Sequence, residues 1–178
     1  MSTSIERKRL KSQTMSNPRI HLEQVCRIPV LKSLSDSTRT TVASVLLQTA
    51  KESTLEKDEI LYRGGDDAKN TGTLLVKGSM SVERDGESVT VKAPDLLGEM
   101  QQLNKTGQRV ATVTALEESI VLEFAWHDFL YTSVAMKALT EDQQREFKEA
   151  IGDFVGRRLK VLSELTGESL EAPHADGE

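Results

Sequence analysis

The chain has 178 residues, 37% of them hydrophobic, and a formal net charge of −5. This composition suffices for one domain with a packed core, whereas the negative charge and an aromatic content of 4% disfavour nucleic-acid binding through a positive field or aromatic stacking. No apolar run approaches the roughly 20 residues of a membrane span, and a single cysteine, Cys26, excludes an intramolecular disulfide. We therefore expect a cytoplasmic protein that does not enter a membrane.

Helices are predicted near the start of the chain, after a polar and basic stretch over residues 1–17 that we expect to be a disordered leader. A short helix should run from Leu22 to Ile28 and end before Pro29. A second helix should begin at Ser35 and Asp36, because either side chain can cap its first turn.

After Ala50 the apolar residues recur with a period of two, which is typical of strands. Asp85-Gly86 predicts a two-residue hairpin turn. Short strands at close and regular spacing favour a small antiparallel barrel or sandwich over a parallel sheet. The predicted strands are Glu52–Leu55, Glu59–Arg63, Gly72–Lys77, Ser79–Arg84, Glu87–Lys92, Arg109–Leu116 and Ser119–Phe124.

A long helix is predicted from Thr140 to about Thr166. Its first residues, Thr140 to Gln143, form a capping box, and Gly167 suits a left-handed cap at its end. The helix carries two apolar stripes, which implies two packing partners: the barrel, and the same helix of a second chain. One stripe comprises Phe147, Ile151, Phe154, Val161 and Leu165, and the other comprises Val155, Leu159 and Leu162.

The most informative stretch is Gly98-Glu99, at the head of a short helical turn, followed ten residues after the glutamate by Arg109 at the start of a strand. A helix start presents free N–H donors and a partial positive charge, so it suits an anion. Arginine adds a planar fork of donors that matches phosphate oxygens, and glutamate can accept a hydrogen bond from a ribose hydroxyl. These residues together predict a site for a nucleotide monophosphate.

Other chemistry has little support in the sequence. In one alternative, Glu99 and Arg109 form a structural ion pair with no ligand. His21, His127 and His174 are scattered without metal-ligand spacing, so no metal site is expected. No serine–histidine–acid set, phosphate loop or paired-acid motif stands out, so we do not expect an enzyme.

Four segments, taken in order along the chain, carry a family resemblance. They are Ile28–Ser35, with a proline and a leucine before the capped helix; Ile60–Asp66, a strand ending in Gly-Asp; Leu74–Val82, a strand–glycine–strand corner; and the stretch from Gly98-Glu99 to Arg109. Together they resemble the cyclic-nucleotide-binding domain of the bacterial catabolite activator and protein kinase A regulatory-subunit type, over about Val25 to Val134. The resemblance implies an α+β fold: an antiparallel β-roll or jelly-roll barrel of about eight short strands, flanked by N-terminal helices and a long C-terminal helix.

The resemblance also implies a role for each candidate site residue. Glu99 would accept from the ribose 2′-hydroxyl, Arg109 would pair with the cyclic phosphate, and nearby backbone amides would complete the cradle. The lack of a hydroxyl at Val110 favours cAMP over cGMP, and no cofactor is expected besides this ligand. Gln101-Gln102 departs from the small and apolar residues usual in the family, so Gln101 either crowds the phosphate or points away. The candidate ligand-binding residues are Gly98, Glu99, Met100, Gln101, Arg109 and Val110.

The resemblance divides the chain into four regions. We expect the leader over 1–17, the cyclic-nucleotide-binding domain over 18–134, a lid or dimerisation helix over 135–167, and a disordered acidic tail over 168–178. Transcription factors of the family carry a helix-turn-helix domain after the long helix. Only about eleven residues follow Gly167, so direct DNA binding is not expected.

Two hypotheses follow. In the first, the chain is a stand-alone cyclic-nucleotide sensor whose C-terminal helix moves over the bound base and signals to an unidentified protein effector. In the second, the fold is a ligand-free interaction module that forms a homodimer through Thr140–Thr166. An open pocket with Arg109 pointing into it favours the first hypothesis, and a pocket blocked by Gln101 favours the second.

Overall fold

The computed structural model describes residues 18–102, 106–127 and 137–166. The predicted leader, the acidic tail and the cap at Gly167 lie outside these ranges. The helices are α1 (Pro18–Cys26), α2 (Pro29–Lys32), α3 (Asp36–Thr49) and α4 (Glu141–Thr166), and a 3₁₀ helix spans Glu99–Gln102. None of the described helices combines the length and the apolar character that a membrane span needs.

The first and last helices show how local chemistry sets their ends. The first helix begins and ends earlier than predicted, and Pro29 opens the short α2, where its fixed φ and missing N–H suit the first turn. At the start of α4 the Thr140 N–H donates to Gln143 Oε1 (3.0 Å) and the Gln143 N–H donates to Thr140 Oγ1 (3.3 Å). The predicted capping box is confirmed.

The start of α3 differs from the prediction. Ser35 occupies the N-cap position, but its side chain makes no capping hydrogen bond. Instead Glu146 of α4 accepts hydrogen bonds from the Ser35 backbone N–H (2.5 Å) and from the Thr38 hydroxyl (2.6 Å). A carboxylate is a strong acceptor at a helix N-terminus. The first turn of α3 is therefore tied to α4.

The described strands confirm the predicted fold class. They are β1 (Lys51–Leu55), β2 (Ile60–Tyr62), β3 (Thr71–Lys77), β4 (Ser79–Arg84), β5 (Glu87–Lys92), β6 (Asp95–Leu97), β7 (Thr112–Ala115) and β8 (Ser119–Ala125). They form two antiparallel sheets in the orders β1-β8-β3-β6 and β2-β7-β4-β5. Asp85 and Gly86 join β4 to β5 with φ angles of 53° and 85°, as the predicted hairpin turn requires.

Two details of the predicted strands are wrong. Arg109 lies in the loop before β7, which begins only at Thr112. There the Gly65 N–H donates to the Arg109 carbonyl and the Arg109 N–H donates to the Asp66 carbonyl, both at 2.8 Å, so this backbone pairs with the loop after β2. The strand β6 was not predicted because three residues are too few to show a period.

Two apolar clusters form the core of the described residues. One is built from side chains of both sheets, and the other joins the helices to β3, β6 and β8. The part of α4 up to Val155 contributes Phe147, Ile151, Phe154 and Val155, each at most 9% exposed, to the second cluster. This part of α4 packs on its own chain, so Phe154 is not available to a second chain, and the packing brings the rest of α4 to the site described next.

Candidate functional site

A pocket lies where β2, β4, β5 and β7 meet the 3₁₀ helix and α4. Its walls are largely apolar with a few converging polar groups, which is the usual composition of a small-molecule site. Within the described residues no cluster of His, Cys, Asp or Glu side chains could hold a metal ion. The apolar wall includes Val82, Val89, Val91 and Val113, and the polar or charged groups are Tyr62, Glu99, Arg109 and Arg158.

Gly98, directly before the 3₁₀ helix, lets the backbone approach Arg109 closely. Its φ is +81°, in the left-handed region that favours glycine. A Cβ atom at this position would lie 2.7 Å from Arg109 Nη1 and 3.2 Å from the Thr71 carbonyl oxygen. Both the backbone conformation and the space therefore require glycine here.

The Arg109 side chain is buried and held from several directions. Its exposed fraction is 8%. Nη1 donates to the Thr71 carbonyl (3.0 Å), and Nη2 donates to the Ala68 carbonyl (3.0 Å) and to Thr71 Oγ1 (2.6 Å). The guanidinium carbon lies 3.5 Å from the centre of the Tyr62 ring. These contacts fix the plane of the guanidinium at the edge of the pocket.

The charge of Arg109 has no close counterion in the described part of the chain. Burial lowers the pKa of Arg109, and the nearby Tyr62, Glu123 and Asp67 groups oppose that shift. Neither the Glu123 nor the Asp67 carboxylate forms an ion pair with the guanidinium, whereas Arg39 and Arg158 do have carboxylate partners. Burying an unpaired cation is costly, so a bound anion would stabilise this side chain.

Glu99 faces Arg158 of α4 rather than Arg109. The exposed fraction of Glu99 is 3%, and burial raises the pKa of its carboxyl, an effect that the Arg158 charge offsets in part. Arg158 Nε lies 4.0 Å from Glu99 Oε1, and Arg158 Nη2 lies 2.6 Å from Asp95 Oδ1. Among the described residues, the alternative of a structural Glu99–Arg109 ion pair is therefore wrong.

The structure brings five of the six predicted site residues to this pocket: Gly98, Glu99, Met100, Arg109 and Val110. Gln101 lies in the 3₁₀ helix, but the side chains of Gln101 and Gln102 are outside the described residues. The two alternatives for Gln101, crowding the phosphate or pointing away from it, therefore both stay open, and the ligand contacts of the other residues stay predictions.

Sequence reasoning missed two of the polar or charged residues of the pocket, Tyr62 and Arg158. Arg158 falls between Phe154 and Val161 on the first apolar stripe of the long helix, so a charge within an apolar stripe was the available signal. Tyr62 belongs to the predicted strand Glu59–Arg63, and nothing local distinguishes it from a core aromatic residue.

Comparison with known proteins finds a family match in the central part of the chain. Residues 52–132 match the model of the cyclic nucleotide-binding domain family, a range that includes Gly98, Glu99 and Arg109. This part of the chain is therefore similar to a cyclic nucleotide-binding domain. A search of curated protein sequences finds no match.

Solved structures with low sequence identity share the fold. The CBD2 domain of PKAR bound to Sp-2Cl-cAMPS has a TM-score of 0.65 at 20% identity, over 85% of this chain and 93% of that chain. The catabolite activator protein of Thermus thermophilus has a TM-score of 0.58 at 17% identity, over 78% and 62%. The regulatory subunit of a cAMP-independent protein kinase A from Trypanosoma brucei has a TM-score of 0.54 at 14% identity, over 79% and 49%. The chain thus spans less than two thirds of the last two proteins.

Proposed function

We propose that this chain binds a cyclic nucleotide, cAMP in preference to cGMP, in the pocket around Arg109 and Glu99. One observation carries the proposal: a buried guanidinium without a carboxylate partner among the described residues shares a pocket with a buried carboxylate. A cyclic nucleotide offers the complement of both, a phosphate monoanion and a ribose hydroxyl. Two findings support the proposal: residues 52–132 match the cyclic nucleotide-binding domain family, and the PKAR domain with a similar fold is bound to a cAMP analogue.

In the proposed complex, Arg109 binds the cyclic phosphate. The guanidinium is already ordered by Ala68, Thr71 and Tyr62, so little side-chain entropy is lost when an anion arrives. Gly98 leaves room for the phosphate to reach both the guanidinium and the backbone N–H groups at the start of the 3₁₀ helix. Charge-assisted hydrogen bonds of this kind contribute about 1.5–3 kcal/mol each.

Glu99 accepts the ribose 2′-hydroxyl in this proposal, and the apolar wall receives the base. Val82, Val89 and Val91 offer an apolar surface to a purine ring. Val110 lines the same pocket and has no hydroxyl that could hydrogen-bond a guanine substituent. The expected preference is therefore for cAMP.

The helix α4 transmits the signal in this proposal. Arg158 joins α4 to Asp95 and Glu99, and Val161, which is 50% exposed, lines the same pocket. A ribose hydroxyl that hydrogen-bonds Glu99 changes the surroundings of Arg158, so α4 contacts differ between the empty and the bound pocket. Such a difference in contacts shifts the position of α4. The output passes to a separate protein partner.

Calorimetric titration of the full chain with cAMP and cGMP tests the proposal. We expect wild-type binding to both, tighter for cAMP, and a loss of about ten- to a hundredfold in Arg109→Ala. Arg63→Ala is the matched control, because Arg63 is an exposed arginine that does not line the proposed ligand pocket, so its loss should leave binding unchanged. The absence of binding heat from wild type with either nucleotide at millimolar concentration would contradict the proposal.

The alternative function is a ligand-free module that forms a homodimer through Thr140–Thr166. The fold is shared by the regulatory subunit from Trypanosoma brucei whose kinase is described as cAMP-independent. Since Phe154 is buried in its own chain, the dimer hypothesis requires the part of α4 beyond it, where Val161 lines the pocket and is 50% exposed. Light scattering on wild type and Val161→Glu decides it: a wild-type monomer excludes this dimer, and a dimer disrupted by the variant supports it.

A further inference from the structure

We propose that Tyr62 is a positioning residue, whose ring holds the Arg109 guanidinium in the orientation that binds the ligand's phosphate. The inference rests on the proposed function, because it gives Tyr62 a role in phosphate recognition. It assigns to β2 a part of the site that lies far along the chain from the Gly98–Arg109 stretch.

The contacts of Tyr62 place it between the sheet and the guanidinium. The side chain is 7% exposed and belongs to the core cluster built from both sheets. Its hydroxyl is hydrogen-bonded to the Thr73 hydroxyl of β3, which fixes the ring at its far end. The ring covers one face of the Arg109 guanidinium, whose central carbon lies 3.5 Å from the ring centre. The Ala68 and Thr71 carbonyls accept hydrogen bonds from the N–H groups at the guanidinium edge. The ring and the two acceptors together leave the guanidinium little freedom to rotate.

The choice of an aromatic partner matters for an anion-binding arginine. A cation over an aromatic face is attracted by the ring without giving up N–H donors. A carboxylate at the same place would pair with the donors and cancel the charge that the phosphate needs. Burial raises the pKa of the Tyr62 phenol, so the ring stays uncharged at neutral pH. Tyr62 therefore orders Arg109 and leaves its charge available to the ligand.

The test compares a ligand with a phosphate to one without it. Wild type, Tyr62→Phe and Tyr62→Met are titrated with cAMP and with adenosine. We expect Tyr62→Phe, which keeps the ring, to bind both as wild type does, and Tyr62→Met to bind cAMP about tenfold more weakly with adenosine changed less than twofold. Val82→Ala is the control, because this pocket-wall residue should weaken both ligands alike. Equal losses for both ligands in Tyr62→Met, or no loss for cAMP, would overturn the inference.

A readout without nucleotide separates this inference from the proposed function. The Arg109 Nε–H resonance is assigned by its loss in Arg109→Lys, and its exchange with water is measured in each variant. We expect slow exchange in wild type and Tyr62→Phe, and exchange at least about tenfold faster in Tyr62→Met. Equally slow exchange in the methionine variant rejects the positioning role, even if wild type binds no nucleotide and the proposed function fails. Should Tyr62→Met not fold, Tyr62→Leu replaces it in both measurements.

Discussion

At the scale of single residues, the space at position 98 is decisive for the site. Gly98→Ala should displace Arg109, because the added methyl group would lie 2.7 Å from Nη1 with backbone 3.2 Å away on another side. We expect cAMP affinity to fall at least about tenfold and the free energy of unfolding to fall by roughly 1–3 kcal/mol. Calorimetry and urea unfolding measure the two effects.

Gly86→Ala is the matched control for that substitution. Gly86 has nearly the same backbone angle, with φ +85°, but nothing lies within 4 Å of an added Cβ atom. It should lose only about 1 kcal/mol of stability through backbone strain and keep its cAMP affinity. If Gly98→Ala behaves like Gly86→Ala in both measurements, position 98 does not control Arg109.

The buried Glu99 gives a second prediction, for stability against pH. Its pKa in the folded chain is raised by burial, so folding favours the protonated form. Its contribution to stability is therefore fully present below the unfolded pKa of about 4.3 and is lost as the pH rises through the folded pKa. Glu99→Gln should be more stable than wild type at pH 8, by about 1.4 kcal/mol for each pH unit between the two pKa values, and equal to it near pH 4.

Urea unfolding at pH 4, 6 and 8 measures this difference. Glu83→Gln, at an exposed position of β4, should show no such dependence. A Glu99→Gln variant that is less stable than wild type at pH 8 would show that Arg158 more than compensates the burial of the carboxylate.

At the scale of elements, α4 has two different ends. Its first half is fixed by the core side chains around Phe147 and by Glu146, whose carboxylate accepts from Ser35 and Thr38 at the start of α3. Its second half reaches the pocket through Arg158 and Val161. In the proposed function, a ligand therefore acts on α4 through Arg158 and Val161, beyond the part that the core anchors.

Glu146 should therefore stabilise the contact between α3 and α4. The hydrogen bonds from Thr38 and Ser35 lower the pKa of Glu146, so its contribution is present above the unfolded pKa of about 4.3 and is lost as the pH falls through the folded pKa. Glu146→Gln should cost about 1 kcal/mol at pH 7 and much less at pH 3. Urea unfolding checks this, with the exposed Glu149→Gln on the same helix as control. Equal stability of the two variants at pH 7 would show that Glu146 does not stabilise the contact between α3 and α4.

At the scale of the whole molecule, the features that could be predicted from the sequence are those that residues close together in the chain determine. The period of the strands, the Asp85-Gly86 turn and the Thr140 capping box are local patterns, and each has its expected structure. Tyr62 and Arg158 could not be assigned in this way, because their roles depend on Arg109 and Glu99, which only the folded chain brings near. The prediction that Ser35 or Asp36 caps α3 was wrong for the same reason, because the acceptor at this helix start is Glu146 of α4.

The proposed binding of cAMP at this pocket is tested most directly by amide NMR spectra of the full chain during titration with cAMP. The pocket predicts saturable shifts at Gly98–Met100, at Arg109–Ala111, at Tyr62 and in α4 around Arg158–Val161, with α1 unchanged. No shifts at millimolar cAMP, or shifts that leave Arg109 and Glu99 unaffected, would contradict it.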